Sequence, residues 1–394
     1  ADPTRAAAIA AAAGLTLDAL PAYAPGHVVF EAPSAEAALA AMETLRLMPT
    51  VTSADVQLAR PRQKKLVPND PLFPSQWHLR NTTQGGGALW MDVGAMPAWD
   101  SFRGGGITIG IIDDGVQHSH PDLSPNYNAA IDRDFIDGDS DAAPGSLSSD
   151  THGTQVAGVA AARGSNGVGV AGLAFDATLT GIRLLSAAQT DQDEADAFAH
   201  RNDVIHIKNN SWGAPDDGAS LEGPGTLGTA ALLHAATNGR GGRGTIFVFA
   251  AGNGLPEHDD SNADGYANSI HTIAVGAASD SGFRSWYSEP GANILICAPS
   301  SGALDGDGIT TTDLTGGNGD STTDYSTNFG GTSAASPLVA GACALMLQAN
   351  PDLGWRDVQE ILLRTARRPH VGDPDWSTNG AGFLFNHKYG AGIV

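Results

Sequence analysis

The sequence is poor in cysteine. Only Cys297 and Cys343 occur among 394 residues, too few for a disulfide framework. No cysteine and histidine spacing typical of zinc sites is present, and neither cysteine has a catalytic context. Cys343 is predicted to be buried on a helix. The sequence does not decide whether Cys297 and Cys343 form a disulfide, because it does not fix the distance between the two residues.

Basic residues and long apolar runs are also scarce. The chain has 21 Lys and Arg against 43 Asp and Glu, a formal charge of −22. Such a surface repels nucleic acid and anionic membranes, so we expect neither as a partner, whereas basic peptides and calcium ions remain compatible with it. The alanine run at residues 6–13 is far shorter than the ~20 apolar residues of a spanning helix, and we expect no membrane-spanning segment.

Glycine is abundant, and one glycine-rich segment contains a candidate nucleophile. Ser333 lies among small residues in the segment 330–337, just before an apolar run at 338–347 that is typical of a buried helix. A helix start places backbone N–H groups and the positive end of the helix dipole beside the hydroxyl. That environment suits a nucleophile whose reaction builds an oxyanion. Taken alone, the same pattern also fits an ordinary helix cap.

Two further segments supply a candidate base and acid. The β-branched run at 106–112 predicts a buried parallel strand with Asp113 at its carboxyl end, where catalytic groups gather in α/β sheets. His152 precedes a run of small residues at 155–162, which places it in the first turn of a helix. A hydroxyl nucleophile needs a base, and the base needs an orienting acid. We therefore predict a triad of Asp113, His152 and Ser333.

Strand and helix patterns alternate through most of the chain. Strands are predicted at 107–112, 179–185, 204–209, 245–250, 270–275 and 294–298, and helices at 193–200, 227–237, 336–348 and 355–365. This alternation predicts an α/β domain of three layers, with a mostly parallel sheet between helices. The polar tract at 305–328 is predicted to be a loop before Ser333.

Residues 1–65 have a different pattern. Alanine-rich helices are predicted at 6–13 and 34–48, and short strands at 27–30 and 51–58, enough for a small α+β unit. A basic segment flanked by prolines follows and includes Arg62-Gln63-Lys64-Lys65. We therefore divide the chain into a unit of residues 1–65 and a domain of residues 66–394.

The sequence contains ten short motifs that occur together in one protein family. They are residues 69–79, 113–115, 118–123, 152–154, 210–213, 251–254, 286–289, 331–337, 350–358 and 389–392. In these segments the chain resembles the kexin and furin branch of the subtilisin-like serine peptidases. The resemblance implies a subtilisin-like domain preceded by a small α+β pro-domain-like unit. It implies a calcium-dependent endopeptidase that cuts after basic, preferably dibasic, sites. The alternatives are a broad-specificity subtilisin and an inactive binding protein on the same fold.

The resemblance also implies roles for further residues. Asn253 would bind the oxyanion together with the Ser333 N–H, and Ser211, Trp212 and Gly213 would pair with an extended substrate. Acidic residues would receive basic side chains: Asp264 the residue before the cut, Asp114 the next residue back, and Glu194 and Glu222 the fourth residue back, with Asp150 a kexin-like acid nearby. Ser149 and Pro215 stand where furin has acids, which leaves the fourth-position preference open. Without the resemblance, each of these acids fits a solvated surface position.

Three sets of oxygen ligands for calcium follow from the same resemblance. The first comprises Asp70, Asp122 and Asn166 with backbone carbonyls of Arg163, Val168 and Val170. The second comprises Asp216, Asp259 and Glu289, beside the Asp264 pocket. The third comprises Asp134, Asp139 and Asp141, in an acidic run that also fits a flexible loop.

The resemblance finally implies processing at the basic segment. Residues 1–65 would act as an intramolecular inhibitor and chaperone and be removed by self-cleavage after Lys65. A solvated linker and a retained amino-terminal domain are the alternatives. We expect a secreted or periplasmic protein, and we expect the further β-rich domain of this branch to be absent.

Overall fold

The computed structural model describes residues 2–57, 66–146, 149–302 and 308–394. The chain separates into two compact units, Ala1–Lys64 and Lys65–Val394. The basic segment with the predicted cleavage site at Lys65 lies outside the described residues.

The amino-terminal unit contains two helices and one antiparallel strand pair. Its elements are α1 (Pro3–Ala12), β1 (Thr16–Ala19), β2 (Val29–Glu31) and α2 (Ala35–Arg46). Side chains cap both helices: Asp2 accepts from the Thr4 N–H and Ser34 from the Ala37 N–H. The strand predicted at 51–58 is wrong over its described part, since residues 51–57 form no strand. Strand β1 was not predicted, because a half-buried alternation over only four residues is a weak signal.

The larger unit is built on a seven-stranded parallel sheet. Its strands are β3 (Thr108–Asp113), β4 (Arg133–Asp134), β5 (Thr178–Arg183), β6 (Ile207–Asn210), β7 (Ile246–Ala250), β8 (Thr272–Ala278) and β9 (Ile294–Pro299), in the order β4-β5-β3-β6-β7-β8-β9. Strands β3, β7 and β8 are buried along almost their whole length, which explains why their sequences are mostly apolar. The predicted α/β architecture with a mostly parallel sheet is confirmed.

Helices cover this sheet. They are α3 (Ala95–Trp99), α4 (His152–Ala161), α5 (Asp191–Ala199), α6 (Thr226–Gly242), α7 (Thr332–Ala349) and α8 (Trp355–Thr365). The largest hydrophobic cluster joins α4 and α7 to the sheet, and it contains Val156, Val159, Leu338 and Val339. Small residues on α4 and α7 allow this close approach: a Cβ at Gly341 of α7 would lie 3.2 Å from the Ala160 carbonyl oxygen of α4. The core therefore holds the helices of His152 and Ser333 against the same sheet.

The polar tract before Ser333 is not simply a loop. Strands β10 (Ile309–Thr312) and β11 (Tyr325–Phe329) pair in it as an antiparallel hairpin, and β12 (Ser377–Thr378) and β13 (Leu384–Phe385) form another pair near the carboxyl end. Thr311 and Thr312 donate side-chain hydrogen bonds to backbone carbonyls of α4. These tertiary contacts decide the conformation of a segment whose local sequence favours a loop.

Helix α7 corrects the expectation about membrane-spanning segments. It has 18 residues and is apolar enough to cross a membrane by length and composition alone, but 67% of it is buried inside the fold. The two cysteines are free and buried, so no disulfide joins Cys297 to Cys343.

Candidate active site

Asp113 and His152 form a hydrogen-bonded pair at the carboxyl edge of the sheet. Asp113 is the last residue of β3 and is fully buried, and His152 is the first residue of α4. The Nδ1 atom of His152 lies 2.9 Å from Oδ1 of Asp113. Burial disfavours the protonated imidazole, but the charges of Asp113 and Asp114 and the hydrogen bond to Asp113 outweigh it and raise the pKa of His152 to about 9. The pair has the geometry of a base held by an acid.

Asp114 fixes the start of the histidine helix. Its two carboxylate oxygens accept hydrogen bonds from the backbone N–H groups of His152, at 3.0 Å, and Gly153, at 2.7 Å. Helix α4 has no side-chain cap at its own N-cap residue, so Asp114 satisfies these donors from the neighbouring loop. Burial and the charge of Asp113 raise the pKa of Asp114 to about 7. The contact predicted between Asp114 and a substrate side chain stays a prediction.

Ser333 lies in the first turn of α7. Its hydroxyl donates to the backbone carbonyl of Ser211, at 3.1 Å, and no hydrogen bond between Ser333 and His152 is present among the described residues. Nucleophile–base hydrogen bonds are often long before substrate binds. In this structure the Ser333 hydroxyl is therefore bonded to Ser211 and not to the predicted base.

Asn253 is held beside the nucleophile by its side-chain oxygen. This oxygen accepts from the backbone N–H and the hydroxyl of Thr332, at 2.8 and 3.1 Å. The amide nitrogen therefore points away from Thr332 and makes one long contact of 3.4 Å with Asp216. Gly331, with φ of 75°, precedes this turn and lets Asn253 approach, because a Cβ there would lie 3.3 Å from the Asn253 oxygen. The orientation leaves the Asn253 amide nitrogen with only this long contact among the described residues.

The Ser211–Gly213 segment leaves the end of β6 beside α7. The Ser211 hydroxyl donates to the Ser333 carbonyl at 3.0 Å, and the Trp212 indole N–H donates to the Ile112 carbonyl at 2.9 Å. Trp212 also packs against the aromatic rings of Phe249 and Tyr266. These contacts fix the backbone of the segment predicted to pair with substrate.

Asp264 is a buried carboxylate next to this segment. It accepts backbone N–H groups of Tyr266, Ala267 and Ala214 at 2.7, 3.2 and 3.3 Å. Gly213 makes room for it, since a Cβ at that position would lie 2.2 Å from an Asp264 oxygen. Burial raises the pKa of Asp264, and the three hydrogen bonds oppose this shift. A small surface pocket is lined by Asp264 together with Ala214, Pro215, Asp216, Ser220, Asp259, Ala263 and Glu289.

Glu194 and Glu222 lie near Asp264. The Tyr266 hydroxyl donates to Glu194 at 2.9 Å, and the Gly265 N–H donates to the Glu222 carbonyl at 2.7 Å. Burial raises the pKa of Glu194, and the charge of Glu222 adds to the effect. The structure thus brings together three of the acids predicted to receive basic side chains, namely Asp264, Glu194 and Glu222.

Asp150 is separated from this group of acids. It is 4% exposed and accepts from the hydroxyls of Ser149 and Ser186 and from the Ser146 N–H. The Arg183 guanidinium lies 3.4 Å away. Such a saturated, buried carboxylate is at odds with the direct substrate contact predicted for Asp150.

The first predicted calcium set is assembled around the loop at 164–170. Asp70 and Asp122 are 2% and 0% exposed, and no ion pair with a basic side chain compensates either of them among the described residues. The Asn166 side chain donates to Asp122 at 2.8 Å, and the Val170 N–H donates to it at 2.8 Å. The Arg163 guanidinium instead pairs with Asp176, which leaves only its backbone for such a site. Val168 donates its N–H to the Asn166 oxygen. Buried, uncompensated carboxylates fit a cation.

The second predicted set lines the Asp264 pocket. Asp259 and Glu289 are buried, whereas Asp216 is exposed. Burial and the charges of Asp216 and Asp259 raise the pKa of Glu289 to about 8. Among the described residues, no three His, Cys, Asp or Glu side chains are arranged to hold a metal ion as they stand. An ion at this set therefore requires its side chains to move together.

The third predicted set does not fit an ion in this structure. Arg183 lies 2.7 Å from Asp134, so a guanidinium already supplies the positive charge there. Asp141 lies 3.1 Å from the His118 ring, and Asp139 accepts the Asp141 N–H. The three carboxylates thus have separate local partners.

Three residues near the triad were not predicted. The Phe329 ring lies edge-on to the His152 ring at 5.6 Å, and Asp320 and Arg183 approach the loops before α4. Arg183 had one available signal, because it lies near the end of the strand predicted at 179–185. In the structure it ends β5, whose parallel pairing with β3 places it opposite Asp113. Phe329 and Asp320 lie in the hairpin that the sequence does not reveal.

The matches to known proteins agree with this geometry. Residues 104–392 match the family model described as the subtilase family. The chain belongs to the subtilase family. Furin from Rattus norvegicus is 40% identical over 356 residues, 89% of this chain and 43% of the relative. Proprotein convertase subtilisin/kexin type 4 from Homo sapiens is 41% identical over 338 residues, 85% of this chain and 43% of that protein.

The fold of this subtilase is also similar to solved structures. A serine protease of Aeromonas sobria aligns with a TM-score of 0.76 and 26% identity, over 87% of this chain and 69% of the other. The subtilase chain spans 43% of the length of the curated relatives named above. The family recognised from sequence motifs, with its furin and kexin relatives, is confirmed.

Proposed function

We propose that this subtilase is a calcium-dependent serine endopeptidase that cuts after basic, preferably dibasic, residues. The observation that carries the specificity is Asp264, a buried carboxylate in a pocket beside Ser211–Gly213 with no basic partner among the described residues. A buried carboxylate that is not compensated within the protein favours a cationic side chain from the substrate.

The triad geometry supports a standard order of proton transfers. His152 takes the Ser333 proton as the hydroxyl attacks the scissile carbonyl, and Asp113 stabilises the resulting imidazolium. The Asn253 amide and the Ser333 N–H hold the oxyanion, and His152 then protonates the leaving amine. The substrate lies extended along the Ser211–Gly213 backbone with its basic side chain toward Asp264.

The first calcium set supports the proposed dependence on calcium. Asp70, Asp122 and Asn166, with carbonyls of Arg163, Val168 and Val170, would hold the ion, which supplies charge compensation for two buried carboxylates. The second set, Asp216, Asp259 and Glu289, would act in the same way beside the pocket. Because the first set lies at the loop that follows α4, the helix that begins with His152, and the second set lines the Asp264 pocket, chelation should lower stability as well as activity.

The amino-terminal unit is proposed to be a pro-domain that inhibits and assists the larger unit until it is cut after Lys65. Arg62, Lys64 and Lys65 fit the proposed dibasic preference. Expression of the Ser333→Ala variant beside the unmodified protein tests this proposal. The variant should keep residues 1–65 attached, and equal cleavage of both proteins would refute self-processing. We also propose, from the similarity to furin, that the protein is located in the secretory pathway or outside the cell.

Initial rates on matched fluorogenic peptides test the main proposal. Peptides ending in Lys-Arg, Arg-Val-Lys-Arg and Ala-Ala-Phe are compared with calcium and with a chelator. A preference of a hundredfold or more for the basic series, ~2.7 kcal/mol in the transition state, is expected. Asp264→Asn should reduce that preference, and Ser333→Ala should abolish cleavage. Comparable rates on all three peptides would instead indicate a broad-specificity subtilase.

A further inference from the structure

Asp320 lies at the start of the catalytic histidine helix. It belongs to the segment that connects β10 to β11. One carboxylate oxygen accepts from the Gln155 amide at 2.8 Å, and the other accepts from the Thr151 hydroxyl at 3.4 Å. Thr151 immediately precedes His152, and Gln155 lies in the first turn of α4. The Asp320 carboxylate is therefore fixed beside the catalytic base.

The hairpin is anchored firmly enough to hold this position. Thr311 and Thr312 donate to the Gln155 and Thr154 carbonyls, both at 2.7 Å. The close approach depends on Gly158, where a Cβ would lie 2.2 Å from the Thr312 hydroxyl. Asp313, fully buried below the tip, accepts the Ser321 N–H at 2.7 Å and so orders the residue after Asp320.

The charge of Asp320 is available for an external partner. The residue is exposed, and none of the ion pairs formed by the described residues involves it. Its hydrogen bonds are to neutral donors, so they leave the negative charge uncompensated. This charge also reaches the base: after burial and the two neighbouring aspartates, Asp320 is a further influence on the pKa of His152, which it raises.

The position of Asp320 indicates which part of a substrate it would meet. Asp264 lies beside Ser211–Gly213, along the chain that carries the acyl group. Asp320 instead adjoins Thr151, on the side of the imidazole. Because His152 protonates the leaving amine, the substrate residues beyond the scissile bond leave along this side.

We propose that Asp320 is a specificity-determining residue that favours a lysine or arginine among the first two residues after the scissile bond. The proposal rests on the endopeptidase activity proposed above, but not on its dibasic preference. Asp320 would pair with the cationic side chain at an exposed site. Such pairs contribute about 0.2–1 kcal/mol, so the expected effect on kcat/KM is about 1.4- to 5-fold.

The test uses internally quenched peptides that share one acyl-side sequence, whichever is cut fastest. The first or the second residue after the cut is Lys, Ala or Glu, and kcat/KM is measured for each peptide at one pH. The Lys-to-Glu ratio cancels any change in the protonation of His152. Asp320→Asn removes the negative charge and keeps the shape of the side chain. Asp320→Lys replaces the negative charge with a positive one. Asp203→Asn is the control, because Asp203 is exposed and precedes β6, at the opposite edge of the sheet.

The unmodified protein and the control should prefer Lys to Glu at one of the two positions. Asp320→Asn should bring the ratio close to one, and Asp320→Lys should invert it. High salt should shrink the preference of the unmodified protein. An unchanged ratio in Asp320→Asn would overturn the proposal, even if all rates fell together. Since the acyl side is constant, failure of the dibasic preference leaves this test intact.

Discussion

The Ser211 hydroxyl donates a hydrogen bond of 3.0 Å to the backbone carbonyl of Ser333. In a regular helix this carbonyl would accept the N–H of residue 337, but Pro337 has none. Ser211 therefore satisfies a carbonyl that Pro337 leaves free, and it ties the substrate segment to the helix of the nucleophile.

This relationship predicts that Ser211→Ala is destabilising. It leaves a carbonyl unsatisfied close to the core, which costs about 1–3 kcal/mol in the free energy of unfolding. Urea unfolding in a Ser333→Ala background, which prevents autolysis, measures the effect. Pro337→Ala restores the backbone N–H, so Ser211→Ala should cost less in that second background. An equal cost in both backgrounds would show that the hydroxyl does not replace the missing donor.

Asp114→Asn should shift the pH dependence of activity. Neutral His152 is the catalytic form, so activity is present above the pKa of His152, raised to about 9, and is lost as pH falls through it. Removing the negative charge of Asp114 lowers this pKa and moves the acid limb of kcat/KM to lower pH. A displacement of about half a pH unit would raise the neutral fraction at pH 7 about threefold.

The control for this shift is Asp352→Asn, the same chemical change at an exposed residue paired with Arg243. Its acid limb should stay in place. A limb that stays in place or moves to higher pH in Asp114→Asn would contradict an effect of the Asp114 charge on His152.

Gly213→Ala should weaken the recognition of basic residues. The added methyl group would lie 2.2 Å from an Asp264 oxygen, so the carboxylate must move. Moving the Asp264 carboxylate by about 1 Å can lower kcat/KM on a basic peptide about tenfold to a hundredfold. Gly380→Ala is the matched control, since a Cβ there has no neighbour within 4 Å. Equal losses on Ala-Ala-Phe and Lys-Arg peptides would count against an effect through Asp264.

Asp373 should contribute to stability above acidic pH. Burial alone would raise its pKa, but hydrogen bonds from the Asp375 N–H, Asn386 and Lys388 outweigh it and lower the pKa to about 2. A carboxylate with a lowered folded-state pKa stabilises the fold above its unfolded pKa, near 3.8, and the contribution is lost as pH falls toward 2. Asp373→Asn should cost about 2 kcal/mol at pH 7 and much less near pH 2. Urea unfolding at the two pH values measures this difference, and a cost independent of pH would contradict it.

Apolar, β-branched runs in the sequence predicted most strands of the parallel sheet. The run before Asp113 and the five later strands are mostly buried, and their bounds differ from prediction by a few residues. Most of these strands are apolar, but β6 also carries Lys208, Asn209 and Asn210 in buried positions. The hairpin of β10 and β11 could not be predicted. Its threonines, glycines and aspartates have loop propensity locally, and their partners on α4 are about 150 residues away in the chain.

The sequence by itself determined the family and the placement of Asp113 and His152 at a strand end and a helix start, because these depend on local patterns, and it predicted the triad that these residues form with Ser333. Only the tertiary structure decided how the acids are used. Asp150 and Asp134 are bound by Arg183, Asp114 caps α4, and Asp264 remains in an uncompensated pocket. A carboxylate has the same letter in each role. Its chemistry follows from which donors and charges the fold brings within a few ångströms of it.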